Sequence, residues 1–203
     1  MKINPAEVDR RGTHELIMSA VVPRPIAFVS TIGEDGVLNL APFSAYTSLS
    51  LNPALLCFSI SRRRDGQDKD TLINIKYSKD FVINVVDENL AEAMNKSSAD
   101  YPGEVDEFQQ VGLTPGKSDI VTAPLVAESP VSMECKLHQI LEFGESPGGS
   151  QVVIGEIVLM HIRDDLWTGS FIDPEKLKAV SRIGGLDGYA RSTDIFKMTR
   201  PPQ

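Results

Sequence analysis

Hydrophobic and polar positions along the 203-residue chain fall mostly into short runs of strand character. Ile26 to Ile32 is apolar and β-branched, and Gly33-Glu34-Asp35-Gly36 behind it reads as a hairpin turn. The partner strand is expected from Val37 to Tyr46, then a turn at Asn52-Pro53 and a buried strand over Ala54 to Ser61. Asp80 to Val86 predicts another strand. Val131, Met133, Cys135 and Leu137 alternate with Ser132, Glu134, Lys136 and His138, the period of a half-buried strand. Gly144 to Ser150 predicts a loop. Gln151 to Arg163 is apolar at nearly every position, so cover on both faces is expected, from a helix or a second subunit.

Helical patterns are fewer. Thr13 to Val21 fits a short helix capped by Thr13, with Leu16, Ile17 and Ala20 inward. Thr71 to Ser78 follows an N-cap at Asp70, and Glu88 to Lys96 has helical character. Many strands, few helices and no βαβ alternation predict a mainly β protein, a β-barrel with peripheral helices, in a single domain over residues 1–203.

Composition narrows the function classes. With 41% hydrophobic and 24% charged residues the chain reads as a globular domain, and its apolar runs fall short of a membrane span. No export signal is evident, so the cytoplasm is the expected location and no membrane partner is implied. A net charge of −8 argues against a nucleic-acid partner. Cys57 and Cys135 sit in apolar stretches and read as buried thiols, and three scattered histidines give no metal-ligand spacing, so no metal is expected.

The informative stretch runs from Pro23 to Thr71. Pro42 interrupts the strand Leu38 to Ser44, which confines it to a sheet edge or a bulge and leaves ladder groups free for a flat heteroaromatic ring or for nothing at all. Arg62-Arg63-Arg64 and Lys69 form a basic run that Asp65, Asp68 and Asp70 nearly cancel, the composition of a solvated loop. The run nonetheless leads into a helix start, where free N–H groups, Lys69 and the Thr71 hydroxyl suit a phosphate, while Asp70 competes for the same amides as a cap. Hydroxyls of Ser44, Thr47, Ser48, Ser59 and Ser61 lie near strand ends and suit a polyol chain or a pyrimidine edge, though such residues are ordinary there.

Taken in order, Pro23-Arg24-Pro25-Ile26-Ala27-Phe28-Val29-Ser30-Thr31, Asn39-Leu40-Ala41-Pro42-Phe43-Ser44, Lys69-Asp70-Thr71-Leu72 with Asn74-Ile75, Glu128-Ser129-Pro130, and Arg182-Ile183-Gly184-Gly185 with Tyr189 form one set. The set resembles the flavin-reductase-like, FMN-binding split β-barrel family, over roughly residues 15 to 190. The resemblance implies a homodimer with FMN at or near the subunit interface. It implies Asn39, Ala41, Pro42, Phe43 and Ser44 along the isoalloxazine and ribityl chain, with Thr47 and Ser48 close by. Ser59, Ser61 and Arg62 would come from the next strand, Lys69 and Thr71 would hold the phosphate, and Gly184, Gly185 and Tyr189 would sit near the flavin face. Gly155-Glu156-Ile157 stands where the best-known NAD(P)H:flavin reductases carry Gly-Asp-His, which is closer to the flavoredoxin-like branch.

The implied activity is an FMN-dependent oxidoreductase that passes electrons from a reduced small-molecule donor, NAD(P)H among the candidates, to free flavin or another small acceptor. The alternative is an FMN electron carrier between protein partners. A barrel that binds no flavin is a third reading. No residue stands out as a catalytic base, and His14, His138 and His161 read as structural or surface groups.

Overall fold

The structure, a computed structural model, describes residues 1–201 apart from Arg64, residues 145–148 and Leu186. In chain order its strands are β1 (Arg24–Pro25), β2 (Ala27–Ile32), β3 (Leu38–Phe43), β4 (Tyr46–Leu51), β5 (Ala54–Ser61), β6 (Asp80–Val85), β7 (Pro115–Gly116), β8 (Leu125–Val126), β9 (Val131–Phe143), β10 (Ser150–Ile162), β11 (Val180–Arg182) and β12 (Tyr189–Arg191). The helices are α1 (Arg10–Ala20), α2 (Asp70–Ser78), α3 (Ala91–Ser97), α4 (Glu107–Val111) and α5 (Pro174–Leu177). None of the described helices is long and apolar enough to cross a membrane.

Seven strands form one sheet in the order β3-β2-β6-β9-β10-β5-β4, every neighbouring pair antiparallel. β3 and β4 are its two edges, yet only Ser44 and Ala45 separate them in the chain. A link that short brings the edges together, so the sheet curls into a split barrel, and the Ala45 carbonyl accepts from the Ser59 N–H at 2.9 Å across the corner. The run expected as one strand from Val37 to Tyr46 is therefore two, broken where the chain changes edges. The Gly33–Gly36 turn forms as expected, closed by Gly33 N–H to Val37 O at 2.9 Å, with Gly36 at φ 81°.

Alternation along β2 sorts its side chains into two cores. Ala27 and Val29 face the barrel interior with Phe43, Phe58, Phe81 and Ile83, and α2 adds Leu72 and Ile75. Phe28 faces outward, where it packs with Leu40, Met94 and Phe108 under α3 and α4. Inside, the Phe58 ring lies 5.3 Å from that of Phe43 and 5.5 Å from that of Phe81. Gly155 stands at a register shift between β9 and β10, and a Cβ there would overlap the Phe81 ring.

Val131 to Cys135 is buried on both faces, although alternation predicts one. The loop from Asp119 to Ala123 covers the outer face, tied down by two carboxylates. Glu134 accepts from the N–H groups of Asp119, Ile120 and Val121 at 2.7–2.9 Å. Asp80 accepts from the Thr122 N–H and hydroxyl, each at 2.9 Å. β10 is well covered in its first half only, with Gln151 and Val153 to Gly155 buried.

The helices depart from expectation at their ends. α1 starts at Arg10 and is capped by Asp9, which accepts from the Gly12 N–H at 2.7 Å, rather than by Thr13. Leu16 and Ile17 are 38% and 48% exposed instead of inward. The helix seats by its small Ser19 against Gly184, and by Arg24, which donates to the Met18 and Val21 carbonyls at its C-terminal end. α2 begins at Asp70, with Lys69 in the capping position and no side-chain cap, because the Asp70 carboxylate is turned to Arg63. α3 begins only at Ala91, after Asp87 has accepted the N–H groups of Asn89 and Leu90 at 3.0 and 3.1 Å.

Two outcomes follow from this packing. Gly155→Ala is expected to lower the unfolding free energy measured in urea by about 1–3 kcal/mol, since the added Cβ would overlap the fully buried Phe81 ring. Burial alone would raise the Glu134 pKa, but the Asp119 N–H, His161 and the other two amides hold it at about 2, below its ordinary 4.5. Because the folded value is the lower one, this stabilisation is complete above about pH 4.5 and is lost as pH falls toward about 2. Unfolding midpoints measured from pH 6 to 2 should fall across that window, and fall less in Glu134→Gln.

Candidate functional site

β3 leaves the sheet with one side free. The Leu40 N–H points off that edge and donates to Glu107 Oε2 at 3.1 Å. Antiparallel alternation then turns Pro42 the same way, which is where a residue lacking an N–H is tolerated. The edge therefore offers the carbonyls of Leu40 and Pro42 but no free amide at either position. Pro42 is thus on an edge strand, one of the two placements its chemistry allowed.

Just past Pro42 the chain enters a cavity of about 230 Å³. Pro42 and Ser44 from the corner, Asn95 and Ser98 from α3 and its end, and Arg182 and Tyr189 from the β11–β12 ribbon line it, with no Asp or Glu among the described residues. The Arg182 guanidinium sits 4.6 Å from the centre of the Tyr189 ring, and the Tyr189 hydroxyl donates to Asn95 Oδ1 at 3.0 Å.

Arg24 lies directly across the strand pair from Arg182. It is buried, and it donates to Ser44 Oγ at 3.5 Å and to the carbonyls of Met18, Val21 and Ile183, all neutral acceptors. Burial, and then the charge of Arg182, lower its pKa below the ordinary arginine value. The corner thus carries two guanidiniums, and its lining among the described residues includes polar and aromatic side chains.

The other expected residues fall in two further places. Ser59 and Ser61 share the outward face of β5, exposed or half-buried, and their hydroxyls have no hydrogen-bond partner among the described residues. Thr47 and Ser48 are exposed on the neighbouring edge strand. Arg62 is paired with Asp68 at 2.9 Å and Glu142 at 3.2 Å, and Arg63 with Asp70. The Lys69 ammonium is exposed and has no ion-pair partner among the described residues; it stands at the uncapped start of α2.

Asn39 and Thr71 meet, but inside. The Thr71 hydroxyl donates to Asn39 Oδ1 at 2.7 Å, and Asn39 Nδ2 donates to Glu107 Oε1 at 3.0 Å, all three residues being buried. Burial raises the Glu107 pKa, against the bonds from Asn39 and Leu40 that lower it. Phe43 points into the barrel core, so toward the corner it presents backbone. Gly184 serves the contact with Ser19 of α1, and Leu186 beyond Gly185 lies outside the described residues.

Arg24 and Arg182 were not singled out in the sequence as site residues, although both fall inside the quoted motif stretches; each is an isolated arginine without a charged neighbour in the chain. Glu107 left no signal at all. Asp119, Glu134 and His161 bring ligand-type atoms within 4.8 Å of one another, but Glu134 already accepts three backbone amides and meets His161 Nε2 at 2.6 Å, the contacts of a structural staple.

Comparison with known proteins fits this geometry. The flavin reductase like domain matches residues 18–171. The chain belongs to that family. The protein BH2278 of Halalkalibacterium halodurans is 40% identical over 99% of this chain and 97% of its own length. Among solved structures, nitrilotriacetate monooxygenase component B from Bacillus cereus superposes with a TM-score of 0.93 at 33% identity, covering 98% of each chain. The Pseudomonas fluorescens 2-nitrobenzoate 2-nitroreductase NbaA superposes at 0.90 and 31%, over 99% of this chain and 96% of that one. The fold is that of the flavin-reductase-like split barrels, a flavin-binding family of oxidoreductases.

The buried Thr71–Asn39 bond generates a stability prediction. Thr71→Val should lower the urea unfolding free energy by about 1 kcal/mol, the net worth of one hydrogen bond, with the cooperativity of unfolding unchanged.

Proposed function

We propose that the protein is an FMN-dependent oxidoreductase whose flavin lies along the corner between β3 and β5. The observation that carries this reading is the convergence of Pro42, Ser44 and Tyr189 on one cavity, together with Arg182. The residues present fit the cofactor. A flat aromatic face, edge-strand carbonyls able to accept from a ring N–H, and two guanidiniums able to hold negative charge at a pyrimidine edge stand together. Bound FMN would supply the hydride and electron transfer itself.

A path for the remainder of the cofactor runs from this corner. The Ser59 N–H touches Ala45, Ser61 follows about 7 Å further along β5, and the Arg62–Asp68 pair leads to Lys69. Ser59 and Ser61 offer hydroxyls to a polyol. Lys69 and the uncapped N–H groups opening α2 offer charge and donors to a phosphate. Thr71 and Asn39 act from behind as a brace rather than by their side-chain donors, which are engaged with one another and with Glu107.

The same outward face favours a homodimer with the flavin near its interface. Register places Phe143, Ser150 and Ser61 in one cross-strand row and Leu141, Val152 and Ser59 in the next, so exposed apolar side chains lie beside the two serines. The electron donor in this reading is a reduced nicotinamide nucleotide and the acceptor is free flavin or another small molecule. An electron carrier between proteins is the second reading, favoured by Glu156-Ile157 following Gly155.

Titration of FMN into the purified protein, followed by fluorescence quenching, tests the cofactor. Lys69→Ala is expected to weaken binding at least about tenfold, the effect of losing one charge-assisted bond. Absent binding by the parent protein, or unchanged affinity in the variant, would remove the proposed phosphate contact. NADH and NADPH oxidation with and without added FMN then separates reductase from carrier.

A further inference from the structure

Residues 62–69 join β5 to α2, and exposure alternates at both ends of the join. Ser61 and Lys69 are exposed, whereas Arg62 and Asp68 next to them are half-buried. The backbone at Lys69 is extended, with φ −75° and ψ 153°, which turns successive side chains away from one another. Arg62 Nη1 donates to Asp68 Oδ1 at 2.9 Å. That bond draws the two ends of the join together on the inner side. On the outer side it brings Lys69 toward Ser61.

Asp68 is the hub of this clasp. Its Oδ1 accepts from Arg62 and from Gln151 Nε2 of β10, each at 2.9 Å, and its Oδ2 accepts from Lys76 Nζ of α2 at 2.7 Å. Donors from the join, the barrel and the helix thus meet on one carboxylate. Gln151 is fully buried, and register sets it opposite Ile60 of β5. The arrangement is costly. Arg62 Nε and Gln151 Oε1 are both buried with no hydrogen-bond partner among the described residues. A donor and an acceptor left open around one carboxylate show that both groups are oriented for Asp68 rather than for their own satisfaction.

By charge alone Asp68 is badly placed, since a carboxylate one residue from Lys69 opposes the attraction of that ammonium for a phosphate. What it contributes is therefore geometric. We propose that Asp68 is a positioning residue for the flavin phosphate: it touches no ligand, and it acts by turning Lys69 outward and toward Ser61, at the end of the polyol path. The inference rests on the phosphate contact proposed above for Lys69.

Fluorescence-quenching titrations of the full-length protein with FMN and with riboflavin, which lacks the phosphate, test it. The parent protein is expected to bind FMN more tightly than riboflavin. Asp68→Ala is expected to weaken FMN binding about three- to tenfold, no more than Lys69→Ala does, and to leave riboflavin affinity unchanged. Combined with Lys69→Ala it should cost nothing further, because it acts through that lysine. A merely structural residue would weaken both flavins and add to Lys69→Ala, and simple loss of a negative charge would tighten FMN binding. Either result overturns the inference, as does a preference for FMN that Lys69→Ala reduces and Asp68→Ala leaves intact. Gln151→Met decides the matter should Asp68→Ala fail to fold. It keeps the net charge, removes one donor to Asp68 together with the open oxygen, and is expected to weaken FMN binding alone, about threefold; unchanged FMN affinity there counts against the clasp. A parent protein without preference for FMN removes the phosphate contact itself, and the inference with it.

Discussion

The structure depends on a two-residue link. Ser44 and Ala45 join the opposite edges of a seven-stranded sheet, and three residue steps from Phe43 to Tyr46 span at most about 11 Å. The sheet has no way to lie open under that tether, so it curls until β3 and β5 approach. Closure buries Phe43, Phe58 and Phe81 together inside. It also makes the link a corner, with the free side of β3 beside the outward hydroxyls of β5. The cavity lined by Pro42, Ser44, Arg182 and Tyr189 is a by-product of the same closure, completed by the short β1–β11–β12 ribbon laid beside it.

Charge is distributed by the fold in a way its total conceals. The net charge is −8, and the conspicuous basic run largely cancels itself: Arg62 is held by Asp68 and Glu142, Arg63 by Asp70. Arg24 spends its donors on carbonyls and a hydroxyl, which satisfy its hydrogen bonds without neutralising it. Strand register sets Arg182 opposite it, bringing together two arginines that are isolated in the sequence. The acids divide likewise. Asp80 and Glu134 staple a loop, Glu107 covers a strand edge, and Glu34 and Asp35 stay exposed on the Gly33–Gly36 turn.

Much of the fold was legible. The strands at Ile26–Ile32, Ala54–Ser61 and Asp80–Val86, the turn at Gly33–Gly36 and the confinement of Pro42 to an edge or a bulge follow from side-chain period, turn chemistry and the missing proline N–H, all local properties. Errors gathered where a local signal had more than one outlet. Asp70 had the chemistry of a helix cap, but Arg63 took its carboxylate. Leu16 and Ile17 had the spacing of an inward face, but α1 docks by Ser19 and by Arg24. The run from Val37 to Tyr46 read as one strand because nothing in its pattern marks a change of edge.

By itself, then, the sequence determined the class of fold, the family to which its ordered motifs belong, and the residue types available near the Pro42 corner. It did so because backbone period and proline chemistry act within a few residues of their cause. Only the tertiary structure decided which charges cancel, which hydroxyls turn inward and which polar groups converge on a cavity. Those outcomes depend on strand register and on contacts between distant segments: Arg24 meets Arg182, and Thr71 meets Asn39, only once the barrel has closed.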